Sequence, residues 1–123
     1  MGLKSYKELE VWKRAMSFVT EVYGVTSSFP RAEIYGLTSQ MRRSAVSVPS
    51  NIAEGATRNS TKEFVRFLYV ALGSASEIAV QLQIAFNLKY LPEAPFVLLS
   101  DEREEISRML SGLIRSVGRH PRN

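Results

Sequence analysis

The chain has 123 residues, 45% of them hydrophobic and 23% charged, with 16 basic against 12 acidic side chains and a net charge of +4. This length holds one domain with a real core and no second one, and the balance is that of a globular chain rather than a disordered or membrane-embedded one. With no cysteine and one histidine, His120, disulfides and thiolate metal sites are excluded, and a nucleophilic or metal-assisted enzyme has almost nothing to be built from.

The apolar stretches are interrupted by Arg, Glu, Gln or Ser before the roughly 18 residues that a bilayer span needs, so no transmembrane helix and no membrane partner are expected. Residues 1–10 carry Lys4, Lys7, Glu8 and Glu10 instead of an apolar secretory segment, and the expected location is the cytoplasm.

Ser5 and Glu8 have the spacing of a capping box, in which hydroxyl and carboxylate each satisfy an orphan backbone N–H, and predict the start of a first helix. Leu9, Trp12, Met16, Val19 and Tyr23 then recur at helical spacing and predict its buried face. A second stripe, Val11, Ala15, Phe18, Val22 and Val25, widens the apolar arc to roughly 200°, more than one core can cover. The surplus, assigned to this second stripe, predicts an interface with another copy of the chain. Lys13, Arg14, Ser17, Thr20 and Glu21 form the wet side, and the helix ends near 27–30.

Pro30 suits the start of a second helix, Glu33 complements its dipole, and Ile34, Leu37, Met41, Val48 and Ile52 supply its buried side. Pro49 falls inside this pattern, removes one backbone bond and predicts a kink. Gly55 is expected to close the helix in the left-handed conformation, and Ser60 with Glu63 forms a second capping box that opens a third helix over 61–90. Its middle, Gly73-Ser74-Ala75-Ser76, has little side-chain bulk and predicts tight helix packing.

Prolines at 92 and 95 break the chain. Leu99, Ile106, Leu110, Leu113 and Val117 mark a fourth helix, with Asp101-Glu102-Arg103-Glu104-Glu105 as its solvated start. Gly118 ends it. The connections are short, which predicts an all-α fold: an antiparallel up-and-down four-helix bundle over residues 1–118, oligomeric, followed by a disordered basic tail at 119–123.

Some segments are more specific than their periodicity: Phe29-Pro30, Glu33-Ile34-Tyr35-Gly36-Leu37, and the run from Gln40-Met41-Arg42-Arg43-Ser44 through Val48-Pro49-Ser50-Asn51-Ile52-Ala53-Glu54-Gly55. Leu9 and Trp12 precede them, and Glu63-Phe64, Arg66-Phe67-Leu68, Ala71, Gly73-Ser74 and Glu77 follow. Over almost its whole length the chain resembles the four-helix-bundle proteins encoded within intervening sequences of bacterial 23S ribosomal RNA genes, a family related in fold to the accessory variability proteins of retroelements. The resemblance implies a bacterial protein that assembles as a ring-like homopentamer and contacts nucleic acid through basic surface. It assigns no role to the tail and does not imply a ribosomal protein.

Arg42, Arg43, Arg58, Lys62 and Arg66 fall in the second helix, the turn after it and the start of the third, where packing could gather them into a site for an RNA or DNA phosphate backbone. The alternative at these positions is a solvated face with local salt bridges, such as Arg66 with Glu63. No aromatic residue is expected between these cations, which argues against sequence-specific readout of single strands.

Pro49, Asn51, Glu54 and Gly55 form a structural motif: Pro49 frees the carbonyl of Ala45, and polar side chains nearby satisfy backbone or bridge helices in a buried network. Glu33, Glu54, Glu63 and Glu77 lack the Glu-x-x-His pairs of a di-metal bundle, so no metal and no cofactor are expected. Trp12 is an anchor of core or interface. The sequence reading is a non-catalytic oligomer that scaffolds or contacts nucleic acid, or else a module that binds a protein partner.

Overall fold

The computed structural model describes residues 5–120, and among them every regular element is helical. Ser5 does cap, but it caps a single turn. Its hydroxyl accepts from the Lys7 N–H at 3.1 Å over the 3-10 turn Tyr6–Glu8, and Leu9 then adopts extended backbone. Helix α1 is Glu10–Thr26, later than the capping-box spacing suggested. Its last carbonyls are taken by its own hydroxyls: Thr26 Oγ1 donates to Val22 O at 2.7 Å, Ser27 Oγ to Gly24 O at 2.6 Å and Ser28 Oγ to Val25 O at 3.0 Å.

The two stripes of α1 are exchanged relative to the sequence expectation. Val11, Ala15, Phe18 and Val22, expected to face another copy, are buried in the core of this single chain, and Val25 packs against that core. Of the stripe expected inside, Leu9, Trp12 and Val19 are half-buried and packed against the core, while Met16 and Tyr23 are each 43% exposed. The reason is positional. The two stripes are equally apolar, so the inner one is chosen by where α2 and α4 press on α1, which the spacing within α1 does not encode.

A 3-10 turn, Arg31–Glu33, precedes α2, Leu37–Ala56. Ile34 lies in the turn between them and is exposed, because α2 starts after it. Glu33 nevertheless serves that start: its Oε1 accepts from the Leu37 N–H at 2.9 Å, and its Oε2 accepts from the Tyr90 hydroxyl at 3.1 Å. That bond is the main cause of the raised pKa of Tyr90. The tyrosine ring also lies 5.5 Å from Phe29, so one carboxylate ties the α1–α2 connection to the α3–α4 connection.

α2 runs unbroken through Pro49, which is buried in its interior. Gly55 does not take the left-handed conformation, which among the described non-glycine residues is seen only at Lys89, just beyond the end of α3. Gly55 is needed for another reason: a Cβ there would lie 2.7 Å from Phe67 Cβ and 3.0 Å from Phe64 Cδ1, so α2 and α3 touch backbone to side chain at this point.

Ser60 caps α3, Thr61–Asn87, by accepting from the Glu63 N–H at 3.1 Å. Between α2 and α3, Gln81 Nε2 donates to Ser44 Oγ at 2.9 Å, Ser47 and Ser74 pair through their hydroxyls at 2.8 Å, and Gly55 abuts Phe64 and Phe67. Contact positions therefore rise along one helix as they fall along the other. Helix α4 is Glu93–Arg119, so Pro95 sits in its first turn, where no N–H is needed, and the acidic run 101–105 lies well inside the helix rather than at its start. Glu102 of that run forms a bidentate pair with Arg14 of α1, at 3.0 and 2.8 Å. Of the expected tail 119–123, Arg119 closes α4, and residues 121–123 lie outside the described residues.

The core is one cluster drawn from all four helices, including Phe18, Met41, Ile52, Phe64, Leu68, Ile78, Leu82, Ile106 and Leu110. α3 contributes most to it, yet it is also long and apolar enough to cross a membrane, with a mean hydropathy of 1.3 over an 18-residue window of which 39% is buried. This corrects the expectation that no stretch would reach that length. Gly, Ser and Gln interrupt α3 without lowering its hydropathy as charges would, and core helices of packed bundles pass the same test.

Two outcomes follow. Phe18→Ala should destabilise the fold by about 3–5 kcal/mol, as loss of a buried ring does, read from denaturant melts at one fixed protein concentration; a loss below about 1 kcal/mol would remove Phe18 from the core. Gly55→Ala should lower stability by about 1–3 kcal/mol through overpacking, whereas Gly24→Ala, where a Cβ meets nothing within 4 Å, should raise it by up to about 1 kcal/mol. Thermal melts of the two variants read the opposite signs.

Candidate nucleic-acid interface

The turn between α2 and α3 gathers three of the five expected cations. Gly55 brings the end of α2 onto the first turns of α3, and the cap at Ser60 fixes where α3 begins. Arg58, Lys62 and Arg66 therefore gather around Glu63, whose carboxyl feels all three charges, and two of them stand over Phe67. The guanidinium carbons of Arg66 and Arg58 stand 4.4 and 5.1 Å from the centre of that ring, within cation–π range. An aromatic residue thus does lie among these cations, contrary to the sequence expectation: Phe67 directly follows Arg66 in the chain and is only half-buried.

Two of the three cations are paired. Arg58 Nη2 donates to Glu54 Oε2 at 2.6 Å, and Arg66 donates through Nε and Nη2 to the two oxygens of Glu63 at 3.3 and 3.0 Å. The hydrogen bond from Arg66 is the largest cause that holds the Glu63 carboxyl below the usual glutamate pKa, helped by the charges of Arg66, Arg58 and Lys62. Lys62 is exposed and forms no salt bridge among the described residues. Three cations against two carboxylates leave a local excess of one positive charge, so the local salt-bridge alternative is realised at Arg58 and Arg66.

Arg42 and Arg43 lie elsewhere. Arg42 reaches back across the α1–α2 contact, where Nε donates to Thr26 Oγ1 at 2.9 Å, Nη2 approaches Tyr23 O at 3.4 Å, and the guanidinium covers the Tyr23 ring at 4.5 Å. A cation there complements the negative end of α1. Arg43 is exposed beside a shallow polar groove between α2 and α3, lined also by Gln40, Ser44, Ser47, Ser74, Glu77 and Gln81. The 12 residues of helix from Arg43 to Gly55 put it roughly 18 Å from the turn.

Within the structural motif, Asn51 Nδ2 donates to the carbonyl and hydroxyl of Ser47 at 2.8 and 2.9 Å, one turn back, so the backbone it satisfies is that of Ser47 and not Ala45. Ser47 in turn bonds Ser74, so the bridge between helices passes through two serines that sequence reasoning missed. Gln81 was missed as well; its Oε1 is buried without a hydrogen-bond partner while its Nε2 holds Ser44. No helix-period rule singles out these polar residues, because their partners are 27 and 37 positions away in sequence. Among the described residues no group of acidic or histidine side chains is arranged to hold a metal ion.

The family model of the 23S rRNA-intervening sequence protein matches residues 7–112. Among solved structures, a protein of unknown function from the S23 ribosomal protein family of Bacteroides thetaiotaomicron is similar, with 21% identity, a TM-score of 0.77, and coverage of 85% of this chain and 97% of that one. That likeness concerns the fold. No curated protein matches the chain.

The Arg66–Glu63 pair makes a testable statement about charge. Because the folded carboxyl titrates below its ordinary value, Glu63 contributes stability that is present above that ordinary value and is lost as pH falls through the lowered one. Arg66→Gln should move the Glu63 midpoint upward in a carboxyl NMR titration; an unmoved midpoint means that the pair does not persist in solution.

Proposed function

Because the chain belongs to the family of 23S rRNA-intervening sequence proteins, we propose that it is a non-catalytic cytoplasmic scaffold. In this reading an antiparallel up-and-down bundle joins copies of itself into a ring of five, and each copy offers the Arg58–Lys62–Arg66 patch to a phosphate backbone of RNA or DNA. The observation that carries the reading is the exchanged face of α1. With Phe18 and Val22 committed to the core, Met16 and Tyr23 remain exposed on α1 in the same stripe as the half-buried Trp12 and Val19, and Val46 is exposed on α2 one turn after Arg42, which touches α1. Apolar side chains concentrated on one flank in this way mark an interaction surface.

A ring needs two unlike faces on each subunit, since only a heterologous contact closes with an odd number of copies. The α1–α2 flank supplies one. Val97 and Leu98, exposed on α4, supply apolar surface on a different helix. The phosphate reading rests on Lys62, whose charge is not matched by a salt bridge, and on two arginines held against Phe67 at the same corner. Their carboxylate partners sit in exposed pairs, the kind that contribute little and exchange readily for another anion.

Light scattering of the purified protein at micromolar concentration should give a mass several times that of one chain, and Met16→Glu with Val46→Glu should lower it several-fold while helical circular dichroism is kept. Retention on heparin or RNA should weaken linearly with log salt, and Arg58→Glu, Lys62→Glu and Arg66→Glu together should abolish it. Retention unchanged in the triple variant rejects the phosphate site. An oligomer that ignores nucleic acid and captures one protein stoichiometrically is then the better description.

A further inference from the structure

We propose that two copies of this chain pair through the outward face of α3, antiparallel, about a twofold axis between Gly73 and Ser76. The proposal rests on the self-association put forward above, but it uses a face that the α1–α2 flank leaves open and whose rim takes in Lys62 and Arg66 of the basic patch.

α3 carries two seams with the alternating three- and four-residue spacing of a helix that packs lengthwise. One is Phe64, Leu68, Ala71, Ala75, Ile78, Leu82 and Ala85, and every member is buried in the core of its own chain. The other is Lys62, Arg66, Tyr69, Gly73, Ser76, Val80, Gln83 and Asn87, and every member is exposed. The middle of this outer line carries apolar and small residues where a solvated face would carry charged ones, and Tyr69 is 57% and Val80 60% exposed. Val70, Ile84 and Leu88 are exposed beside the seam, so α3 carries more large apolar surface than any other helix.

The order of residues along the outer seam selects the occupant. Laid antiparallel on itself about its midpoint, the seam puts Gly73 opposite Ser76 of the second copy, Tyr69 opposite Val80, Arg66 opposite Gln83 and Lys62 opposite Asn87. The centre is then a waist of small residues, which lets two backbones approach closely, and a Cβ built on Gly73 meets nothing within 4 Å, so the space above it is open. On each side of the waist an aromatic ring meets a valine. The ends pair a cation with an amide, giving an apolar centre with a polar rim. Laid parallel, the same seam would set Lys62 against Lys62 and Arg66 against Arg66, which like-charge repulsion disfavours. The seam is therefore complementary to itself in one orientation, the property an isologous contact requires. A ring of five contains no such axis between neighbours, so the pairing joins copies from two rings.

The chain has no cysteine, so single-cysteine variants are unambiguous. In the otherwise native protein, Ser76→Cys should be crosslinked to a dimer by a short bismaleimide. Tyr69→Cys should not, because its two copies would lie 11 residues apart along the axis, roughly 16 Å. Val80→Glu should halve the mass seen by light scattering and abolish the Ser76→Cys crosslink, and Val80→Ser provides a second reading should the charged variant fold poorly. Absence of the Ser76→Cys crosslink, or equal crosslinking of Tyr69→Cys, overturns the proposal, as does a Val80→Glu protein of unchanged mass or of single-chain mass. Loss of binding to anionic phospholipid vesicles in Val80→Glu at unchanged mass would instead assign the face to a membrane. The two readings separate cleanly: an intact ring that Val80→Glu leaves alone defeats only the α3 pairing, whereas a native protein that is a single chain in solution defeats both.

Discussion

The contact on which the other features depend is the one at Gly55, where the backbone of α2 runs so close to Phe64 and Phe67 that no side chain fits between them. Close approach at this corner sets the register of α2 on α3, and the register places Ser47 against Ser74 and Gln81 against Ser44 farther along. It also brings Arg58, from the turn after α2, over the same ring as Arg66 of α3. Core packing, the polar bridge and the basic corner are three consequences of one steric condition.

At the opposite end of this helix pair, Glu33 plays the corresponding part by a different means. A single carboxylate accepts from the first N–H of α2 and from the hydroxyl of Tyr90, so the two connections on that side are held by directed hydrogen bonds rather than by shape. Gly36 leaves room for it: a Cβ there would fall 2.7 Å from Glu33 Oε1. Both Glu33 and Gly36 belong to the segment that carries the family resemblance, and both act on the path of the chain rather than on a ligand. Much of what is distinctive in this sequence, from Glu33 to Gly55, is explained by how two helices are started, spaced and joined.

The surface left over after folding is unusual in being apolar on more than one side. α1 offers Met16 and Tyr23, α3 offers Tyr69, Val80 and Ile84, and α4 offers Val97 and Leu98. Some charged side chains form local pairs, such as Arg58 with Glu54, Arg66 with Glu63 and Arg108 with Glu105. Exposed pairs of this kind add little stability. A net charge of +4 is then a modest field spread over the molecule, with one local excess at the α2–α3 corner.

The sequence by itself determined that this chain is four helices with apolar seams, because a period near 3.6 and the punctuation by Ser60, Pro92 and the short turns are local properties of the chain. It also carried the family resemblance. Which of two equally apolar stripes on α1 turns inward was left to the neighbouring helices, and the sequence reading chose the wrong one, since periodicity gives the angle between stripes but not the direction of the core. The reasons for Gly55 and Arg42 were likewise decided in three dimensions: a glycine that reads as a helix terminator is a spacer for Phe67, and an arginine that reads as a phosphate ligand closes the end of α1. Local spacing fixes what a helix is, and only the elements pressed against it fix which side of it is inside.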